Sequence, residues 1–351
     1  MSAENTIGFG IVGTGMIANY HAKAIKALSE KHNIRVVGAL DNVLGRARDF
    51  AQKHDVPFCT DSAEAFFANP AVQVICITTP SGAHLEPALL AIHAGKHLIV
   101  EKPLEITVER VDTMLAEAHK AQVKIAAIFQ ARLSRGAVAL KQAIDAGRFG
   151  RLSLCSAYIK WHRSEAYYTG WKGTLQMDGG GAVMNQAIHA VDLLQWLVGM
   201  PTDVFAFKTR RVHLGIEAED TACATLRFGC GALGTIEATT AAYPGWERRL
   251  EICGELGSAA IEDDRIVRWD FRHPTASDAA LLDAPDNASS GSGAGSPDQI
   301  NFEGHQRQIE DMVLSLRNGT ALLINGTQAR NTVVLVRAIY ASAESGLPVK
   351  L

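Results

Sequence analysis

A continuous apolar run, Thr6 to Val12 (TIGFGIV), opens directly onto Gly13-Thr14-Gly15-Met16-Ile17-Ala18, and nothing else in the sequence restricts its fold as strongly. The pattern is G-x-G-x-x-A. Glycine at 13 allows a tight turn, glycine at 15 lets backbone N–H groups approach a pyrophosphate, and the small Ala18 lets the next helix pack closely on the strand. That helix, Met16 to about Ser29, leads into a second apolar strand, Ile34 to Leu40, which ends at Asp41. An acid roughly 20 or more residues beyond the glycines is where such a fold hydrogen-bonds the adenosine ribose hydroxyls. The glycines alone would fit a structural turn. Strand, turn, helix, strand and terminal acid in register point instead to a dinucleotide site that includes Gly13, Thr14, Gly15, Met16, Ile17 and Asp41.

A carboxylate at Asp41 repels a 2′-phosphate and accepts from a free diol, which favours NAD over NADP. Arg46 and Arg48 are the counter-argument, since an arginine can accommodate that phosphate; the plainer reading puts both on the outer face of the next helix. The alternation continues with helix Ala63–Ala68, strand Val72–Thr78, helix His84–Ala94, strand His97–Val100, helix Thr107–Ala121 and strand Val123–Phe129. Such alternation implies a parallel doubly wound sheet over residues 1–130. All strand carboxyl ends of that sheet share one edge, so Gly13, Asp41, Thr78-Thr79-Pro80 and Glu101-Lys102 belong to one cofactor crevice. Lys102 is thereby placed near the nicotinamide. His84 reads either as a cap at a helix start beside the pyrophosphate or as a surface residue.

The 351 residues are enough for two domains with separate cores. With 47% hydrophobic and 20% charged residues and a net charge of -3, the chain resembles neither a disordered protein nor a polyanion binder, so no nucleic-acid partner is expected. The six cysteines form no C-x-x-C pair and mostly sit in apolar runs, which fits a reducing compartment. Met1 to Gly10 has no basic start or long apolar core, and no apolar run is long enough to cross a bilayer; a cytoplasmic protein without a membrane partner is expected. The scattered histidines, without H-x-x-x-H or H-E-x-x-H, predict no metal site.

Beyond Phe129 the pattern changes. A helix from about Arg135 to Ala146 passes into β-branched and aromatic runs at Leu152–Trp161, Val204–Val212, Ala222–Phe228, Gly231–Ala238, Arg249–Cys253 and Ser258–Ile261, as expected of an antiparallel sheet. Residues 131–351 therefore form a second domain. Pro274 to Pro297, rich in serine and glycine, reads as a mobile surface loop. Helices at about His305–Arg317 and Gly326–Ala343 close the chain.

In the block Gly179-Gly180-Gly181-Ala182-Val183-Met184-Asn185-Gln186-Ala187-Ile188-His189-Ala190-Val191-Asp192 the glycines permit close backbone approach, and apolar spacing at Ala187, Ile188, Val191, Leu194 and Val198 predicts a helix. Asn185, His189, Asp192 and Trp196 then fall on one stripe, since spacings of four, three and four stay close to whole turns. The alternative is a buried histidine satisfied by Asp192 or backbone.

G-x-G-x-x-A, E-K-P after the fifth strand and G-G-G…H-x-x-D-L-L-x-W-L-x-G together resemble the Gfo/Idh/MocA oxidoreductases, and the likeness extends from the start to the closing Gly304-His305-Gln306 and Val349-Lys350-Leu351 segments. The resemblance implies a Rossmann domain followed by an α/β domain with a large, open, mainly antiparallel sheet, a pocket between them, NAD(P)-dependent oxidation of a sugar, polyol or nucleotide-sugar alcohol, and a homodimer or homotetramer. It maps the family's lysine onto Lys102 and its histidine onto His189. In that chemistry hydride belongs to the cofactor, His189 is the base, and Lys102 hydrogen-bonds the substrate oxygen and stabilises the alkoxide. Inositol-dehydrogenase-like members carry aspartate four residues before the histidine; here Asn185 stands there and supplies no charge, so either Asp192 replaces that charge or Lys102 does most of the proton work. The wording M-N-Q-x-x-H-x-V-D-L-L-x-W-L-x-G is similar to bacterial dehydrogenases that oxidise the 3-position of UDP-N-acetylglucosaminuronic acid. Trp161, Arg163, Tyr168, Trp171 and Lys172 suit that subgroup, because aromatic faces fit sugar rings and cations meet a carboxylate or diphosphate; otherwise the aromatics pack against the sheet or another subunit. A non-catalytic regulator that binds dinucleotide or sugar is the second reading, and Lys102 with His189 argues against it.

Overall fold

The computed structural model describes residues 6–283 and 302–351. These group into two units, 6–130 with 302–330 and 131–283 with 331–351.

The first unit runs β1 (Ile7–Val12), α1 (Met16–His32), β2 (Ile34–Leu40), α2 (Leu44–His54), β3 (Cys59–Thr60), α3 (Ala63–Phe67), β4 (Val74–Ile77), α4 (Leu85–His93), β5 (His97–Val100), α5 (Val108–Ala121) and β6 (Ile125–Ala127). All neighbouring strands pair parallel, in the order β3-β2-β1-β4-β5-β6. Val74, Ile75, Cys76 and Ile77 are completely buried, which is why these strands read as unbroken apolar runs: helices cover both faces. Helix starts carry hydroxyl caps, with Ser62 accepting from the Ala65 N–H and Thr107 from the Arg110 N–H. α1 extends to His32, beyond the expected Ser29, and stops where Asn33 turns left-handed at φ 39°. The chain order reverses between β1 and β4, so the strand ends that follow Val12 and Ile77 flank the switch point at which such sheets bind ligands. A helix near the C-terminal end of the sequence, α9 (Glu303–Asn318), returns to this unit: Ile309, Met312 and Val313 are fully buried in the cluster containing Ile25 and Leu28 of α1.

The second unit contains α6 (Arg135–Asp145), β7 (Leu152–Lys160), α7 (Ile188–Val198), β8 (Pro201–Thr209), β9 (Thr221–Phe228), β10 (Leu233–Thr239), β11 (Arg249–Gly254), β12 (Gly257–Glu262), β13 (Arg265–Phe271), α8 (Ala276–Asp283), β14 (Val349–Lys350) and, from Asn331 onward, α10 (Gly326–Ser345). Its eight strands run β13-β12-β11-β7-β10-β9-β8-β14, antiparallel except for the β10–β7 pair. One sheet face is buried at Ala157, Ala224, Ile236 and Leu250. The other carries Leu154, Phe207 and Leu233, which are 45%, 66% and 54% exposed.

Three expectations change here. β13 extends the sheet beyond Ile261, and its run RIVRWDF carried a readable signal. α8 forms within the stretch expected to be a loop; Asp278 anchors it, accepting from both Arg148 guanidinium nitrogens at 2.8 and 2.7 Å and from Trp269 Nε1 at 2.9 Å. The remainder of that stretch, 284–297, lies outside the described residues. Finally, the helix predicted through Asn185 is interrupted: Ala182–Gln186 forms one π-helical turn, closed by the Ala187 N–H donating to Ala182 O at 2.8 Å, before α7 begins. Among the described residues, no helix is long and apolar enough to cross a membrane.

The β12–β13 turn yields a pH prediction. Asp263, at φ 49°, accepts from the Arg248 N–H, and burial pushes its carboxyl up to about 6 although Arg248 opposes the shift. The folded value lies above the unfolded one of about 3.9, so this group's stabilising contribution is complete below about pH 4 and is lost as pH rises through about 6. Asp263→Asn keeps the acceptor and tolerates the left-handed backbone. It should melt a few degrees higher than the parent at neutral pH, equivalent to roughly 2 kcal/mol, with the gap closing near pH 4. Equal melting of the two proteins across that range would contradict the assignment.

Candidate active site

The glycine turn between β1 and α1 is fixed from below. Gly13 takes φ +85°, and a Cβ there would meet the Thr79 nitrogen at 3.0 Å. The Thr78 hydroxyl donates to Val12 O at 3.0 Å and Gly13 O at 2.5 Å, so Thr78 supports the turn by facing its backbone. A Cβ on Gly15 would meet nothing within 4 Å, and no side chain caps the first turn of α1. These features fit a dinucleotide, whose pyrophosphate takes the positive end of a helix at close backbone range. Met16 is 52% exposed beside it, and Ile17 is half-buried. Asp41 is buried; one oxygen accepts from the Thr14 N–H and hydroxyl, both at 2.9 Å, and the other from the Val43 N–H at 3.0 Å. A carboxylate has about four acceptor positions, so these bonds orient Asp41 and leave capacity for a diol. Arg46 and Arg48 are both exposed on α2.

Thr79 donates its hydroxyl to Ala83 O at 2.8 Å, and Pro80 precedes a short 3₁₀ turn, Ser81–Ala83. His84 corrects both earlier readings. It is 1% exposed and stands at the N-cap position of α4, but its side chain makes no capping bond; its ring lies between Pro103 O at 2.9 Å from Nδ1 and Thr79 O at 3.0 Å from Nε2, so it joins the loop after β4 to the loop after β5. Burial pushes its pKa below the ordinary histidine value.

Glu101 is buried beneath Lys102, and its Oε1 faces His21 Nε2 at 2.8 Å and His305 Nε2 at 3.1 Å. Burial alone would raise this carboxyl, but the histidine bonds outweigh it and hold the pKa well below the usual range. The histidines are scattered in the sequence, but folding brings two of them, from α1 and α9, to one carboxylate, and among the described residues these three form a group whose ligand atoms lie within 4.8 Å of one another.

In the second unit, Glu219 organises the triple-glycine loop. Its carboxylate accepts from the Gly181 N–H at 3.0 Å, the Val183 N–H at 2.9 Å and the Tyr340 hydroxyl at 2.9 Å. Burial pushes both Glu219 and Tyr340 above their ordinary pKa values. A Cβ on Gly181 would lie 1.8 Å from Glu219 O, which explains the need for glycine there. Asn185, within the π-helical turn, donates Nδ2–H to Asp178 Oδ1 at 2.5 Å; the other Asp178 oxygen accepts from the Gly173 N–H at 2.8 Å. His189 follows on α7, half-buried. Asp192 does not supply the missing charge. It is fully buried, accepts from Arg132 Nε at 2.7 Å and a terminal guanidinium nitrogen at 2.6 Å, and accepts from the Thr332 hydroxyl, so its charge is answered by Arg132. The guanidinium carbon of Arg132 also lies 5.5 Å from the Trp196 ring centre.

The aromatic and basic strip is a packed cluster around Tyr167. Arg163 stacks on Trp161 at 5.0 Å and on Tyr167 at 5.3 Å, Lys172 Nζ lies 3.9 Å from the Tyr167 ring centre, and Gln186 donates to the Tyr167 hydroxyl at 3.0 Å. Burial lowers the pKa of Arg163 and Lys172. Tyr168 meets the Tyr167 ring edge to face with centres 5.1 Å apart and donates to the Thr240 hydroxyl at 2.7 Å, and Trp171 is half-buried. Sequence reading missed Asp178, Glu219, Tyr340, Arg132, His21 and His305. Only Asp178, next to the triple glycine, carried a local signal.

Residues 7–129 match the model of an oxidoreductase family with an NAD-binding Rossmann fold, and residues 137–260 that of the GFO/IDH/MocA C-terminal domain. Among solved structures, the WlbA dehydrogenase of Bordetella pertussis, in complex with NADH and UDP-GlcNAcA, is similar with a TM-score of 0.91 and 30% identity over 99% of this chain and 98% of that one. Inositol 2-dehydrogenase of Gluconacetobacter diazotrophicus is 29% identical over 310 residues, 83% of this chain and 88% of that protein. Myo-inositol 2-dehydrogenase of Thermotoga maritima is 27% identical over 272 residues, 73% of this chain and 75% of that protein.

Proposed function

Since this chain belongs to the GFO/IDH/MocA oxidoreductases and is an NAD-binding enzyme acting on CH–OH groups, we propose that its substrate is a nucleotide-linked sugar acid of the UDP-GlcNAcA type. The observation that carries this reading is the cation-rich cluster of Arg163, Tyr167 and Lys172, on a chain similar end to end to a dehydrogenase solved with that sugar. Two partly desolvated cations beside an aromatic face suit a carboxylate or diphosphate attached to a sugar ring better than they suit a neutral polyol.

Gly13, Gly15 and the start of α1 would hold the pyrophosphate of NAD, with Asp41 on the ribose diol. Bound NAD supplies the acceptor for hydride from the alcohol carbon. Lys102 donates a hydrogen bond to the substrate oxygen and stabilises negative charge as the hydroxyl proton departs. His189 accepts that proton. The Asn185 amide is oriented because its N–H side is held by Asp178.

NADH formation on a panel of UDP-GlcNAcA, myo-inositol, aldoses and anhydrosugars tests the reading. The UDP sugar should give the highest kcat/KM, with NAD preferred over NADP, and His189→Ala should lower kcat about 100-fold. A polyol preferred over the UDP sugar would defeat the substrate assignment, and unchanged turnover in His189→Ala would eliminate the histidine's role.

A further inference from the structure

We propose that His21 and His305 are positioning residues: together they clamp Glu101, and Glu101 fixes the backbone of Lys102. The inference rests on the role proposed above for Lys102. His21 on α1, Glu101 after β5 and His305 on α9 are 0%, 6% and 1% exposed. Glu101 is held at several points: Oε1 meets Nε2 of both rings, Oε2 accepts from the Lys102 N–H at 3.3 Å, and the Glu101 N–H donates to Ile77 O at 3.0 Å. The two rings meet edge to face with centres 5.0 Å apart, so each braces the other.

The direction of these hydrogen bonds follows from the partners. Both rings must present N–H from Nε2 to a shared carboxylate oxygen. In a neutral imidazole this leaves Nδ1 as a bare acceptor, and both Nδ1 atoms are buried without a hydrogen-bond partner among the described residues. A protonated ring would strand a second N–H there, which costs more than an unused lone pair. A metal ion would require the reverse arrangement, with Nε2 lone pairs turned to the metal and Nδ1–H held by outer partners, and neither Nδ1 has such a partner. The cluster is therefore two Nε2 donors on one carboxylate oxygen. Packing alone needs no anion at this place, since apolar side chains of similar volume fill buried positions at least as well. The clamp links the helix that begins at the glycine turn to the strand end that carries Lys102.

The test compares His305→Ala with His305→Gln, whose amide supplies an N–H in place of the ring, in the full-length protein with NADH bound. Deuterium exchange in the 98–106 segment should accelerate about tenfold in the alanine variant and return to within about threefold of the parent in the glutamine variant. With UDP-GlcNAcA, kcat should fall about tenfold and recover in parallel, while KM for NAD stays within about twofold. If His305→Ala does not fold, His305→Phe, which keeps the ring and loses the donor, replaces it in each comparison. The exchange arm needs no substrate, so a parent enzyme silent on the UDP sugar defeats the substrate reading and leaves the clamp to be judged on exchange. Equal exchange in all variants, a glutamine variant as impaired as the alanine one, or a stoichiometric metal ion held by these side chains would overturn it.

Discussion

Lys102→Ala is expected to slow turnover of the best substrate about 1,000-fold while leaving the affinity for NADH within about threefold of the parent. The reasoning begins with rigidity. Leu98, Ile99 and Val100 are completely buried, the Glu101 N–H is paired with Ile77 O, and Glu101 is itself held by His21 and His305. An ammonium delivered from such a base does not need to be reorganised when charge develops on the substrate oxygen. The comparison with Lys102→Arg separates two contributions, since arginine supplies charge but does not release a proton at working pH. Partial activity in the arginine variant would assign the lysine to charge stabilisation; an arginine variant as slow as alanine would add proton transfer or exact placement. NADH titrations and steady-state rates measure both quantities. An alanine variant within tenfold of the parent would remove Lys102 from the chemistry.

The second large effect is on stability. Gly181→Ala places a methyl group 1.8 Å from Glu219 O, in backbone that also holds the Ala182 N–H on that oxygen at 3.1 Å. Relief requires the triple-glycine loop to leave Glu219, whose carboxylate then loses donors while still buried. The expected cost is about 3 kcal/mol or more, a fall of roughly 6–12 °C in Tm. Gly215→Ala is the control: a Cβ there meets nothing within 4 Å, and its Tm should stay within about 2 °C. Equal melting of the two variants would show that the loop does not depend on that contact.

The parallel unit was largely legible because each of its signals is local. Gly13, Gly15, Ala18 and Asp41 lie within one strand-helix-strand stretch, and strands buried on both faces announce themselves as apolar runs. The antiparallel sheet was legible in outline, but its last strand pairs were not all found, and α8 depends on Arg148 meeting Asp278 across 130 positions of sequence. The site divided in the same way. Lys102, His189 and Asn185 stand in motifs, whereas Glu219 reaches Tyr340 and Glu101 reaches His305 only through the tertiary fold. Asp192 shows the limit most clearly: helical spacing set it on a stripe with His189, but spacing could not reveal that Arg132 already neutralises it. Periodicity assigns a face to a residue and gives no information about distant partners.

The return of α9 to the first unit imposes an order on biosynthesis. Ile309, Met312 and Val313 complete a core whose other members are mostly among residues 9–128, so the ribosome begins that core long before it makes the residues that finish it. Until then α1 emerges with Ile25 and Leu28 lacking part of their final cover. A gene fragment ending at residue 130 would leave this hydrophobic seam open, so grafting the nucleotide module elsewhere requires both distant stretches of the chain.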